Sequence, residues 1–223
     1  MILQAILAAS FTTVALGSIC CTPKQWEGFQ YAAGGYVGRF GRPGEKNGLY
    51  RVSYDATNKK VAVSGNFTRR DKVRPFKTIY DFKEDNSIDG RGHLILPEEE
   101  TCTSFPLRKE FREACIPDTA AYEHSSYYGV GENMLNVKAY KVKRKGPGAD
   151  VSAVVFVTSD ECVPVVENVW GSVRRVSFFG SVNFLQLTAG IQDPAVFSPP
   201  EYCEEGTVEM LDELQAQYGI LQQ

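Results

Sequence analysis

Histidine is scarce in this chain: His93 and His124 are the only two among 223 residues. That thins the supply of general bases and metal ligands before any motif is sought. The catalytic motifs are missing too. No Gly-x-Ser-x-Gly elbow, His-Glu-x-x-His pair or Walker-type phosphate loop occurs anywhere in the sequence. His124, in YEHSSYYG, stands beside Ser125 and Ser126, but adjacent residues rarely meet in catalytic geometry. His93, after DGRG, is read as a loop residue. Gly34-Gly35-Tyr36-Val37-Gly38 is glycine-rich without a following lysine–serine pair, and reads as a strand kink or loop. An enzyme is not expected.

Charge of one sign is lacking as well. The 24 basic and 27 acidic residues leave a net charge of -3, so no nucleic-acid partner is indicated. Beyond the N-terminus, no apolar run approaches the roughly 20 residues needed to span a bilayer. From Ile2 to Leu16 there is no charged residue, and Ala15-Leu16-Gly17 offers small residues at a cleavage point. Residues 1–17 are therefore read as a secretory signal peptide, with residues 18–223 as one mature domain. Ile19 stands where a bacterial lipoprotein signal would need a small residue before its cysteine.

Cys-x-x-Cys spacing is also absent. The six cysteines, Cys20, Cys21, Cys102, Cys115, Cys162 and Cys203, are dispersed and even in number, which points to disulfides in an oxidising compartment. All 15 connectivities remain open on the sequence alone. The sequon Asn66-Phe67-Thr68 marks Asn66 as a glycosylation site in the same compartment.

What the chain does have is strands. LYRVSY places Tyr50, Val52 and Tyr54 on one face; after the break DATN, KVAVSGNF does the same with Val61, Val63 and Phe67. A second hairpin runs through MLNVKAYKVKRKGPGADVSAVVFVT, turning at Gly146-Pro147-Gly148. In RVSFFGSVNF, Val176, Phe178, Val182 and Phe184 alternate on one side. Phe179 and Leu185 on the other side predict a strand covered on both faces. The stretch from Glu84 to Tyr122 is polar and turn-rich, and reads as a loop across the sheet. Near the end the period changes: Val208, Leu211, Leu214, Tyr218 and Leu221 form one stripe of a C-terminal helix.

Two charged stretches could hold partners. Asp81, Glu84, Asp85 and Asp89 lack the ligand spacing of an EF-hand and read as a solvated loop, as does Glu98-Glu99-Glu100. Lys138, Lys141, Lys143, Arg144 and Lys145 share one hairpin, which could attract an anionic membrane surface or sulfated matrix polysaccharide. The bland reading is a charged hairpin end that keeps the sheet soluble. Thirteen Phe and eleven Tyr complete the inventory. Periodicity does not separate a filled aromatic core from a hollow one.

Five segments in register resemble the ependymin-related protein family: CTPKQWEGFQY, YRVSYDATNKKVAV, ACIPDTAAYEHSSYYGVG, ECVPV and GIQDPAVFSPPEYC. Together they run from Cys21 to Cys203. The resemblance implies a mainly β (α+β) fold of two stacked, curved antiparallel sheets enclosing an apolar pocket, similar to bacterial LolA/LppX-like lipoprotein carriers. By matching positions it also implies the disulfides Cys21–Cys162 and Cys102–Cys203, leaving Cys20 to pair with Cys115. A further bond of the vertebrate lysosomal members has no counterpart, because RPFKTIYDF holds no cysteine and none follows Cys203.

Two functions follow as expectations. The first is a secreted, disulfide-bonded glycoprotein that binds a fatty acid, lipid or ganglioside between the sheets. Its candidate pocket residues are Val176, Phe178, Val182 and Phe184. The alternative is an extracellular-matrix or cell-adhesion protein acting through calcium- or glycan-dependent surface contacts; the resemblance supplies calcium without naming its ligands. It also implies a homodimer, and a lysosomal lumen as a second destination beside full secretion.

Overall fold

The computed structural model describes residues 17–38, 40–69, 72–82, 90–107 and 110–205. All of the expected signal peptide but Gly17 lies outside these residues, as do the expected C-terminal helix, Glu84, Asp85 and Asp89.

Twelve strands form one sheet and two short ones a second. In chain order the strands are β1 (Ser18–Cys21), β2 (Gln25–Val37), β3 (Pro43–Asp55), β4 (Lys60–Arg69), β5 (Lys72–Asp81), β6 (Gly90–Leu96) and β7 (Thr101–Leu107). They continue as β8 (Cys115–Pro117), β9 (Ala121–Val130), β10 (Asn133–Gly146), β11 (Ala149–Thr158), β12 (Pro164–Val173), β13 (Val176–Ala189) and β14 (Glu204–Glu205). The large sheet runs β14-β7-β6-β5-β4-β3-β2-β13-β12-β11-β10-β9, and β1 pairs with β8. Every pairing is antiparallel except β14 on β7.

Period-2 alternation carries the burial. On β11, Val151, Ala153, Val155 and Val157 are buried while Ser152, Val154 and Phe156 are half-buried. Residues paired directly across strands share a face. The register therefore extends one inner face from Tyr140 and Val155 through Val182 and Ala32, and from Val52 through Val63, Thr78 and Leu94. Three apolar clusters lie along this face, and Tyr50 packs against all three. Ile116 of β8 joins the first, while Phe111 and Ala114 pack on the third. Glycines on the inner face make room for rings. A Cβ on Gly65 would fall 2.6 Å from the Tyr50 ring, and one on Gly48 only 2.4 Å from its hydroxyl.

The opposite face of β4–β7 carries a smaller cluster of Ala62, Ile79, Ile95 and Cys102, covered by Phe197. Phe197 ends the short 3-10 turn Pro194–Phe197, which begins where the Asp193 carboxylate accepts a hydrogen bond from the Ala195 N–H at 2.9 Å. Asp193 caps the turn, the prolines stop it, and Cys203 is bonded to Cys102. The segment from Gly190 to Cys203 is thus a strap pinning the chain to the outside of the sheet.

The N-terminal disulfides differ from the expected pairing: Cys20 is bonded to Cys162 and Cys21 to Cys115. The register of the small sheet explains the exchange. Cys21 lies directly opposite Cys115, with Cα atoms 3.8 Å apart, while Cys20 lies opposite Ile116. Adjacent strand residues point to opposite faces. Cys20 therefore faces the cluster that contains Ile116 and Cys162, and cannot reach Cys115.

Two further expectations fail. The stretch read as a loop contains β6 and β7, whose buried Leu94, Ile95, Leu96 and Leu107 complete the sheet. His93 accordingly sits on a strand, its Nδ1 2.8 Å from the Ser104 hydroxyl. Nor is β13 covered on both faces. It is central in order, between β2 and β12, yet Phe179 is 59% exposed and Leu185 is also exposed.

Candidate functional site

The inner face is where chemistry can be built. Phe178, Val182 and Phe184 of β13 all lie on it, opposite Tyr36, Ala32 and Gln30 of β2. Val176, at the strand start, faces Val173 of β12. Val182 is fully buried; Val176, Phe178 and Phe184 are half-buried. Phe184 meets Trp26 edge-on at 6.2 Å, and Trp26 stacks on Tyr54 at 5.5 Å. Tyr54 stacks in turn toward Phe111. Burial raises the hydroxyl pKa of Tyr50 and Tyr54, the latter against the opposing hydrogen bond from the Ala114 N–H. These phenols are in a poorly hydrated place.

One row across this face is unusual. Tyr140, Val155, Glu167, Val182 and Ala32 are direct cross-strand neighbours, and all are buried. Four of the five belong to a single hydrophobic cluster; the fifth is the carboxyl of Glu167, 6% exposed. Its pKa is pushed up to about 8, and desolvation alone is the cause. Among the described residues it has no hydrogen-bond or ion-pair partner. Gln30, across Phe184 and 1% exposed, leaves its Oε1 without a partner. Trp26 Nε1 and Thr78 Oγ1, on the same face, are likewise unpartnered. Buried polar atoms are ordinarily satisfied, so each exception asks for an account.

The buried acid on the other face behaves differently. Glu27 accepts from the Ser53 hydroxyl at 2.7 Å and the Gln192 N–H at 3.3 Å, with the Arg51 guanidinium 3.9 Å away. It ties the C-terminal strap to β2 and β3.

The remaining candidates are dispersed. Asn66 is exposed on β4. Asp81 forms an ion pair with Lys60 at 2.9 Å. Of the basic hairpin, Lys145 pairs with Asp150 at 3.3 Å, Lys141 lies near Glu123 and over the Trp170 ring, and Lys138 donates to the Ser159 carbonyl. Two of the five hairpin cations, Lys141 and Lys145, are thus paired with acids of the sheet. Two groups of would-be metal ligands, His93 with Cys102 and Cys203, and Glu113 with Cys21 and Cys115, are built on cysteines already joined as disulfides. Neither offers a thiolate.

Glu167 and Gln30 were not found by sequence reasoning. In PVVENVWGSV, valines occupy both parities around Glu167, so alternation assigns it no face.

The fold and its inner face define a disulfide-clamped antiparallel β protein with a largely apolar face carrying unpartnered polar groups. Residues 70–203 match the family model Ependymin. Ependymin-related protein 1 of Haliotis asinina is 31% identical over 211 residues, covering 91% of this chain and 99% of that protein. Mammalian ependymin-related protein 1 of Rattus norvegicus is 26% identical, covering 87% and 80%. The chain belongs to the ependymin family. Among solved structures, a conserved protein from Thermus thermophilus overlaps 91% of this chain and 97% of its own at 11% identity, with a TM-score of 0.48. A Vibrio parahaemolyticus structure named for outer membrane lipoprotein sorting overlaps 76% and 88% at 8% identity, with a TM-score of 0.36.

Proposed function

We propose that this chain is a secreted, non-enzymatic carrier that holds a hydrophobic ligand against the inner face of its large sheet. The observation that supports this reading most is the row around Val182 and Phe184, where an aromatic and aliphatic face contains polar atoms that no protein group satisfies. Ligand sites have this composition: mostly apolar walls with a few placed polar groups. Val176, Phe178, Val182 and Phe184 are the wall residues of the proposal. Burying an acyl chain contributes about 0.8 kcal/mol per methylene, so a dry wall alone gives useful affinity.

Secretion fits the three disulfides, which persist in oxidising compartments, and no described helix is long and apolar enough to cross a membrane. Residues 1–17 act as the signal peptide in this reading, and Asn66 carries a glycan. The test is native mass spectrometry of protein purified from a secreting eukaryotic host, followed by denaturing lipid extraction. A stoichiometric adduct that dissolves into identifiable acyl chains is the expected result. A clean apo mass that stays apo after incubation with fatty acids and gangliosides sinks the carrier reading.

A second reading, contact with matrix or another surface, is favoured by β9. This edge strand is exposed along its whole length and presents Tyr122, Tyr127 and Tyr128. Calcium belongs to that reading, and calcium-dependent retention on matrix polysaccharide tests it.

A further inference from the structure

Two of the unpartnered groups on the inner face are oxygens that flank the Val182–Phe184 step of β13, while Trp26 Nε1 lies further along the ring row and Thr78 on β5. Gln30 Oε1 is an acceptor without a donor, and the Glu167 carboxyl has none either. They stand diagonally across β13: Gln30 faces Phe184, and Glu167 faces Val182. A headgroup placed over the Val182–Phe184 step would lie between them. Its chain would run along the Phe184, Trp26 and Tyr54 rings.

We infer that Glu167 and Gln30 form the headgroup anchor of the carrier, and that the headgroup they select is a donor-rich cation, the ammonium of a long-chain amine amphiphile. The inference rests on the carrier reading and specifies its ligand. An ammonium supplies three N–H donors and no acceptor, which matches two oxygen-bearing side chains that lack donors. A fatty acid would bring a second carboxyl beside Glu167, where two acids compete for one proton. An alcohol would donate to Gln30 Oε1 and accept from the protonated carboxyl, neutral bonds weaker than the charge-assisted ones an ammonium makes and with no proton released.

The surroundings of Glu167 leave the position of counter-ion to the ligand. From β13 it faces Val182, from β11 Val155, and from the covering small sheet Ile116 belongs to the same cluster. The titratable groups around that cluster are the phenols of Tyr140 and Tyr50. The cations on the same face of β10 are Lys138, opposite Val157 and committed to the Ser159 carbonyl, and Arg144, opposite Val151 at the exposed end. No charged group appears among the causes of the raised Glu167 pKa. Near pH 7 the carboxyl is thus mostly protonated, and an arriving ammonium must displace its proton. Amine binding should release up to one proton and strengthen as pH rises toward about 8, where an alkylammonium near pKa ~10 is still charged.

The experiment is calorimetric titration of the delipidated full-length protein with submicellar dodecylamine, dodecanol and dodecanoate, run in phosphate and in Tris. The two buffers differ in ionisation enthalpy, so their difference reads proton release directly. Dodecylamine is expected to bind at least about tenfold tighter than dodecanol near pH 8, as a charge-assisted bond to a desolvated acid would give. Glu167→Gln should erase that preference and the proton release. Gln30→Leu should weaken both the amine and dodecanol while leaving the proton release in place. Dodecanol binding as tightly as the amine, without proton release, overturns the anchor and leaves the carrier reading standing. No binding of any of the three overturns both. Should Glu167→Gln fail to fold, proton release by the unaltered protein still decides.

Discussion

Glu167 makes stability depend on pH in a direction opposite to that of most carboxylates. Its folded value is about 8, against an ordinary 4.5. Between these values the folded state keeps a proton that the unfolded chain has released, so stability is lost as pH rises. The slope approaches about 1.4 kcal/mol per pH unit and flattens above pH ~8. His93, whose pKa burial lowers, works the other way, its contribution falling away as pH drops through the ordinary histidine range. Comparing urea midpoints of the unaltered protein and Glu167→Gln from about pH 5 to 9 isolates the carboxyl from that background. The variant should lack the downward slope and be the more stable of the two at pH 8. Parallel curves would mean that Glu167 is solvated after all. A second residue-scale prediction concerns Tyr50. Gly65→Ala puts a methyl into its ring, at a cost of about 1–3 kcal/mol. Removing the ring as well, with Tyr50→Ala, should make the two losses clearly non-additive. What the sequence could not reveal at this scale is facing. Alternation read Val176, Phe178, Val182 and Phe184 as one side correctly, because Ser177, Ser181 and Asn183 separate them; in β12 no such polar spacers flag Glu167.

At the scale of elements, hairpins with their own turn chemistry were legible. The break between β3 and β4, and the Gly146-Pro147-Gly148 turn between β10 and β11, both join strands that alternate strongly. Strands β6 and β7 were not legible. Gly90 and Gly92 on one, and Thr103 and Ser104 on the other, look like loop composition, and only pairing with β5 makes them a sheet. Gly92 is needed for the β6–β7 pairing, since a Cβ there would strike the Phe105 ring at 2.2 Å. The cysteine exchange is also an element-scale matter, because the β1–β8 register is set by pairing that no spacing rule contains. It yields a sharp test. Cys20→Ser should leave Cys162 as the free thiol and Cys115 still bonded to Cys21, read by thiol labelling and peptide mass mapping. A free thiol at Cys115 instead would restore the pairing that family resemblance implies. The strap from Gly190 to Cys203 gives another. Phe197→Ala empties the cover over Ala62, Ile79 and Ile95, and should cost about 3–5 kcal/mol in global or local unfolding. Hydrogen exchange should locate the loss in β4–β7.

For the whole molecule, the three disulfides divide the work of closure. Cys20–Cys162 fastens the small sheet over the apolar cluster, Cys21–Cys115 joins its two strands, and Cys102–Cys203 fastens the strap on the other face. The inner face is what remains between them. Among the described residues, two short 3-10 turns are the only helical elements, so what packs on the apolar side of the twelve-stranded sheet is the small sheet, through Ile116, and the segment carrying Phe111 and Ala114. Such a face, with polar atoms left unpartnered inside it, is completed by an occupant in the carrier reading. An occupant that binds only the folded state stabilises it by about 2.7 kcal/mol when present at 100 times its dissociation constant. Protein isolated with its ligand should therefore melt higher than the same protein stripped by unfolding in organic solvent and refolded, and a re-added amphiphile should restore the difference. The restored shift should grow with the logarithm of free ligand and vanish in Val182→Asp, which places a charge on the wall without touching a disulfide. If stripped and native preparations melt together, the inner face is a filled core. The unpartnered groups would then be satisfied by water, and function would pass to the exposed tyrosines of β9.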